Sequence, residues 1–220
     1  MFDFSRETII GFLYALPGIL FALSIHEFSH AYVANKLGDP TAKLMGRLTM
    51  NPIKHIDPLG IIAMFLVRFG WAKPVQVNSR YLKKPRRDMA FIAIAGPVSN
   101  LISAIVGFIL FWLAVLFIHR ATFLSLEIKE GIIYILENFV YLNIALAIFN
   151  LIPIPPLDGS RILDSFLPPK ALLLYHKYED IIRIVLLVLL ICEIITIAPI
   201  VDWIFLKMLD VATSITLLFL

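Results

Sequence analysis

Six apolar runs alternate with polar, proline-rich stretches along the chain, at about 8–25, 59–69, 89–118, 131–157, 184–201 and 203–220. Thr8 to Ile25 carries no charge over about the length of one membrane-spanning helix. Met89 to Ile118 is 30 residues without a charge, and the fourth run holds Glu137 early and is then uncharged from Phe139 to Leu157. The second run is too short to span and contains Arg68, which predicts a re-entrant or interfacial element. Glu193 in the fifth run, and Lys207 and Asp210 in the sixth, predict weaker spans that are tilted, interfacial or paired.

The polar stretch 39–88 does not read as helix. Pro40, Pro52, Pro58, Pro74 and Pro85 interrupt it, and Lys43–Met50 and Val75–Asn78 alternate with a period near two. That pattern predicts short β-hairpins or extended loops at the membrane surface. Irregular backbone there must pair internally or line a wet cavity.

Composition sharpens this picture. The 220-residue chain is 60% hydrophobic and only 16% charged, with a mean hydropathy of +0.89. Soluble domains run nearer a quarter charged, so this is an integral membrane protein in a lipid bilayer. A formal charge of +3 gives no basis for binding nucleic acid. Cys192 is the single cysteine, which excludes an internal disulfide and a cysteine-based zinc site. Asp3, Arg6 and Glu7 make the N-terminal flank not net basic, so the first run reads as a retained span rather than a cleaved signal peptide.

Basic residues set the expected topology. Segment 26–88 holds eleven Lys and Arg, and segment 158–183 holds four: Arg161, Lys170, Lys177 and Arg183. The loop 119–130 holds only Arg120 and Lys129, against Glu127 and Glu130. The positive-inside rule then puts 26–88 and 158–183 in the cytosol and 119–130 outside, in a multi-pass protein of the cell membrane.

At the end of the first run stands His26-Glu27-Phe28-Ser29-His30. Two histidines at i and i+4 share one helix face and can hold one metal ion, and a glutamate beside the first ligand is the base of a zinc metalloprotease. Catalytic zinc takes a third protein ligand. The metzincin extension is absent, because Val33 and Lys36 stand where Gly and His are needed. The remaining candidates are His55, Asp57, Asp158 and Asp164. Topology favours Asp158, since the first and fourth runs both cross from outside to inside and so deliver His26, His30 and Asp158 to the same depth. An acidic residue closing an uncharged run is also costly unless it has a partner.

Asn150, eight residues earlier, is a candidate to hydrogen-bond the developing oxyanion, with interhelical bonding as the competing role. Asn100 and Asn143 read as structural by the same reasoning. Asp57 reads as a turn cap, His55 as a surface residue, and His119 and His176 as interfacial.

Together, His26-Glu27-Phe28-Ser29-His30 and Asn150-Leu151-Ile152-Pro153-Ile154-Pro155-Pro156-Leu157-Asp158-Gly159 resemble the site-2 protease family of intramembrane zinc metalloproteases. The second segment matches its N-x-x-P-x-x-x-x-D-G motif, and Gly96-Pro97-Val98-Ser99-Asn100 is similar to its Gly-Pro-x-x-Asn signature. The resemblance covers residues 8–165, with no inserted PDZ domain. It implies one zinc on His26, His30 and Asp158, Glu27 as base, a three-span catalytic core, and cleavage of a transmembrane substrate near the cytosolic face. The expected architecture is thus an all-α polytopic membrane protein forming one domain over 1–220. Its core covers 8–165, with further C-terminal spans at 178–220 and short β-hairpin or re-entrant elements at 39–80. Two other readings are a metal-ion transporter using the same His and Asp, and an inactive scaffold. A transporter needs no base at Glu27 and commonly carries internal repeats, of which none is visible.

The topology is open to a direct test. In a Cys192→Ser background, a cysteine at position 125 should be labelled by an impermeant maleimide from outside the cell; labelling from the cytosolic side alone would refute the assignment.

Overall fold

The computed structural model describes residues 5–67, 70–192 and 196–218. Among these, three helices are long and apolar enough to cross a membrane: α1 (Arg6–Lys36), α4 (Pro85–Phe117) and α5 (Leu126–Leu151). Shorter helices lie between and after them: α2 (Thr41–Leu44), α3 (Pro58–Val67), α6 (Asp158–Phe166), α7 (Pro169–Lys177), α8 (Glu179–Ile191) and α9 (Ala198–Leu218). The all-α, multi-pass reading therefore holds.

Local chemistry sets the ends of the long helices. Ser5 caps α1 by accepting the Thr8 N–H (3.2 Å), and Ser125 caps α5 by accepting the Ile128 N–H (3.4 Å). Pro85 opens α4, where its missing N–H costs nothing, and Asp88 turns back to accept the Lys84 N–H (2.8 Å). Pro153, Pro155 and Pro156 cannot continue α5, which gives way to tight turns before α6 starts at Asp158.

α1, α4 and α5 pack on one another, and α6 folds back mainly onto α4. One apolar cluster joins Ala104, Phe108 and Phe111 of α4, Val140 and Ile144 of α5, and Val201 and Phe205 of α9. The centre of the three-helix bundle is polar instead: Ser24, His26, Asn100 and Asn143 are all buried. Large apolar side chains such as Leu13, Ile102, Ile105 and Ile109 face outward, as expected of a surface in contact with lipid.

Two elements differ from the sequence reading. No β-strand forms among the described residues; there is only an isolated antiparallel bridge between Ile56 and Ala72. The expected strand at Lys43–Met50 is pre-empted because Asp39 accepts the Thr41 N–H (2.9 Å) and starts the helical turn α2. Residues around Val75–Asn78 lack regular structure, but their amides bond to side chains rather than to a partner strand. At the C-terminus, α9 begins at Ala198 rather than after Asp202. Pro199 suits a first helical turn and would break a helix running to 201. Lys207 pairs with Asp210 on that same helix (3.2 Å). Arg68 and Glu193 lie outside the described residues.

α4 reaches α1 closely because residue 96 has no side chain. A Cβ there would lie 2.5 Å from His30 Nε2 and 2.6 Å from His26 Cε1. Gly96→Ala should therefore fold, since alanine is the better helix former by about 1 kcal/mol, but should push the two imidazoles apart. We expect near-wild-type helicity with a loss of most bound zinc, checked by circular dichroism and metal analysis. Full zinc occupancy in Gly96→Ala would refute the close-approach argument.

Candidate metal centre

His26 and His30 lie one turn apart in the C-terminal half of α1, with rings edge to face at 4.6 Å. Asp158, the first residue of α6, completes the group: its Oδ2 is 3.0 Å from His26 Nε2 and 3.2 Å from His30 Nε2. The donor atoms of the three residues all lie within 4.8 Å of one another. His26 is 5% and His30 8% exposed, and the Asp158 side chain 21%.

Proton placement shows what this group suits. His30 Nδ1 lies 2.7 Å from the Ile92 carbonyl, an acceptor only, so Nδ1 carries the proton. His26 Nδ1 lies 2.7 Å from Asn100 Oδ1, again an acceptor. Neutral imidazoles protonated at Nδ1 present bare Nε2 lone pairs, and these face a carboxylate oxygen that is buried and accepts no hydrogen bond. Three acceptors facing one another repel unless a proton or a metal ion lies between them. The edges of a tetrahedron with ~2.1 Å zinc bonds are about 3.4 Å, close to the 3.0 and 3.2 Å found at Asp158. Two nitrogens and one carboxylate form a donor set suited to catalytic zinc, and each histidine holds its second nitrogen on an acceptor, as metal-bound histidines do.

The backbone leaves Asp158 little freedom. A Cβ at Gly159 would lie 2.4 Å from both the Leu151 and Ile152 carbonyl oxygens, so α6 can start against the end of α5 only if that position is glycine. Ser160 accommodates the same turn, its Oγ donating to the Leu157 carbonyl (2.7 Å). Arg86, at the start of α4, donates to the Asp164 (2.7 Å) and Leu167 carbonyls and so fixes the far end of α6.

Glu27 is 8% exposed, and its Oε2 accepts the Val75 N–H (2.7 Å). That amide belongs to a strap, residues 72–78, pinned at several points. Lys73 donates its N–H to the His55 carbonyl (2.8 Å), Arg47 donates to the Lys73 carbonyl (2.6 Å), and the Asn78 N–H reaches Asp39 Oδ2 (2.7 Å). His55 is thus not a surface residue: it is 1% exposed and its Nε2 donates to the Thr49 carbonyl (2.8 Å), because the 47–57 loop folds over it. Asp57 caps α3 through Leu59 N–H (2.9 Å), and the Trp71 indole N–H (3.0 Å) holds its carboxyl below the usual carboxylate range.

The other candidates lie elsewhere. Asp164 faces His176 Nε2 (3.4 Å), whose Nδ1 faces Glu179 (2.9 Å). The side chain of His119 is outside the described residues. Asn150 Nδ2 donates to the Leu146 carbonyl of its own helix (3.0 Å). Sequence reasoning assigned Asn100 to structure and missed both its bond to His26 and the Val75 amide on Glu27. The Gly-Pro-x-x-Asn pattern carried a signal for the first, since Gly96 and Asn100 lie one turn apart on the face that meets His30 and His26.

Comparison with known proteins agrees with this geometry. The chain is 44% identical over 176 residues to "Putative zinc metalloprotease YwhC" of Bacillus subtilis, covering 80% of this chain and 79% of the relative. It is 30% identical over 189 residues to "Putative zinc metalloprotease Rip2" of Mycolicibacterium smegmatis, covering 80% and 67%. To "Zinc metalloprotease MJ0392" of Methanocaldococcus jannaschii it is 30% identical over 146 residues, covering 66% of this chain and 32% of that longer protein. No solved structure matches. The profile of Peptidase family M50 matches residues 14–192, a stretch that includes every residue of the metal group, and the chain belongs to that family, the site-2 proteases.

Proposed function

We propose that this zinc metalloprotease is an intramembrane endopeptidase that hydrolyses peptide bonds within or beside transmembrane segments of its substrates, near the cytosolic face. The observation that carries the reading is the buried His26–His30–Asp158 group, with Glu27 beside it, inside a bundle of membrane-length apolar helices. The cytosolic placement rests on the fifteen basic residues that flank the site on both motifs' sides, eleven in 26–88 and four in 158–183.

His26 Nε2, His30 Nε2 and Asp158 Oδ2 would hold the zinc. When bound, it supplies Lewis acidity that makes water a usable nucleophile near neutral pH and polarises the scissile carbonyl. Glu27 accepts the proton of the attacking water and passes it to the leaving amine as the C–N bond breaks, so that one water and one peptide bond give a carboxylate and an amine. The Val75 N–H holds one oxygen of Glu27 and fixes the carboxylate against rotation. Asn150, one segment before Asp158, supplies an amide for the carbonyl oxygen as negative charge develops, through the second N–H of the Nδ2 that already donates to the Leu146 carbonyl.

A helical substrate keeps its carbonyls in i to i−4 bonds and must be locally unwound before it can be cut. The 72–78 strap already sets a non-helical chain beside Glu27, which supports a site shaped for extended peptide.

Glu27→Gln should bind about one zinc per chain, as the unmodified protein does, yet cleave no substrate in a reconstituted assay. Retained turnover would remove Glu27 as the base. His26→Ala, His30→Ala and Asp158→Ala should instead lose the metal.

Asn150→Ala should lower kcat by on the order of ten- to a thousandfold with little change in KM, because oxyanion stabilisation acts only in the transition state. A near-normal rate with a lowered melting temperature would assign Asn150 to helix structure.

A further inference from the structure

We propose that Asn100 and Asn143 are positioning residues that set the tautomer of His26, and that Asn143 thereby controls zinc affinity from a helix that carries none of the three ligands. The proposal rests on the reading of His26 as a zinc ligand.

An imidazole can ligate through Nε2 only if its proton sits on Nδ1. For His30 a main-chain carbonyl, Ile92 O, enforces this directly. For His26 the partner is a side-chain amide, and an amide can be turned over. Asn100 presents its oxygen to His26 Nδ1 (2.7 Å). Turned by 180°, it would present its NH2 group instead. Nδ1 would then have to accept, the proton would move to Nε2, and the lone pair needed by the metal would be gone. The correct tautomer therefore depends on what holds Asn100 the right way round.

Two acceptors hold it. Asn100 Nδ2 donates to the Ala22 carbonyl of α1 (3.0 Å) and to Asn143 Oδ1 of α5 (2.9 Å). Turning Asn100 over would set its oxygen against both of these oxygens. Asn143 could relieve the clash only by turning over as well. Its own Nδ2 donates to the Phe139 carbonyl (2.8 Å), so that turn would set oxygen against oxygen there. The relay from His26 through Asn100 to Asn143 has one self-consistent orientation, and it is anchored at Ala22 and Phe139 by carbonyls that can never donate. Both asparagines are fully buried, at 0% exposure, so water does not stand in for a missing partner.

A purely structural role is the competing account, because the same bonds tie α1, α4 and α5 together. Such interhelical bonds contribute to stability in membrane proteins generally. The two accounts separate when an aspartate is compared with a leucine at each position. Asn100→Asp keeps an acceptor for His26 Nδ1 but loses both donated bonds; Asn100→Leu loses all three. Asn143→Asp keeps an acceptor for Asn100; Asn143→Leu does not.

The measurements are zinc affinity, by competition with a chromogenic chelator, and melting temperature of the zinc-free protein in detergent. The ring-nitrogen NMR signals of 15N-histidine-labelled zinc-free protein report the tautomer. We expect Asn100→Leu to weaken zinc binding about 10–100-fold, the range found when such orienting partners are removed, while Asn100→Asp stays within a few-fold of the unmodified protein despite a lowered melting temperature. Asn143→Leu should weaken zinc several-fold and shift His26 toward the Nε2-protonated form, and Asn143→Asp should do neither. Equal zinc affinities for the aspartate and leucine variants, or affinities that follow melting temperature alone, would overturn the proposal. If Asn100→Leu does not fold, the Asn143 pair decides by the same criterion. His26→Ala serves as the control: full zinc affinity in that variant would overturn the ligand assignment itself, a failure distinct from that of the relay.

Discussion

Three electron-pair donors, His26 Nε2, His30 Nε2 and Asp158 Oδ2, are held facing one another with separations of 3.0 and 3.2 Å at Asp158. With neither a proton nor a metal ion between them this arrangement is repulsive, and it is largely withdrawn from water, so the surrounding structure has to hold it. Much of what is distinctive in the fold serves that end. The missing side chain at Gly96 lets α4 come up against the two imidazoles. The missing side chain at Gly159 lets α6 begin against the terminal carbonyls of α5. The prolines from 153 to 156 end α5 at the depth of His26 and His30, and Arg86 ties the far end of α6 back to the start of α4.

A second constraint acts on Glu27. Its carboxylate is covered by the 72–78 strap and bonded to the Val75 N–H, and the strap is itself pinned by Asp39, Arg47 and the His55 backbone. The buried Asp39, Arg47 and His55, which do not touch His26, His30 or Asp158 through these bonds, thus fix the environment of the Glu27 carboxylate. Backbone groups at 39–78 are satisfied by local turns and by side chains together, which is how irregular backbone persists beside apolar spans.

The two constraints meet in α1. Its inner face carries His26 and His30 toward α4 and α6, its Ala22 carbonyl accepts from Asn100, and its Glu27 reaches the strap. One helix therefore couples the geometry of the His26–His30–Asp158 group to that of Glu27, and α4 and α5 hold its register through buried polar bonds rather than through apolar packing alone.

The sequence by itself determined the membrane class, the three long spans and the His26-Glu27-x-x-His30 motif, because these depend on hydropathy and on i, i+4 spacing within one helix. It also pointed to Asp158 over His55, Asp57 and Asp164, because the expected orientation from charge bias brings the first and fourth apolar runs out on the same side. What it could not decide were relations between segments far apart in the chain. Alternation at 43–50 and 75–78 suggested strands, yet whether an extended amide finds a partner strand or the carboxylates of Glu27 and Asp39 depends on what packs beside it. The division of the last two helices turned on a single proline near 199, against a hydropathy profile that ran through it. Asn100 looked like interhelical glue, and only the tertiary structure shows that its oxygen meets His26, since one polar residue on an apolar helix has the same local pattern whichever neighbour it faces.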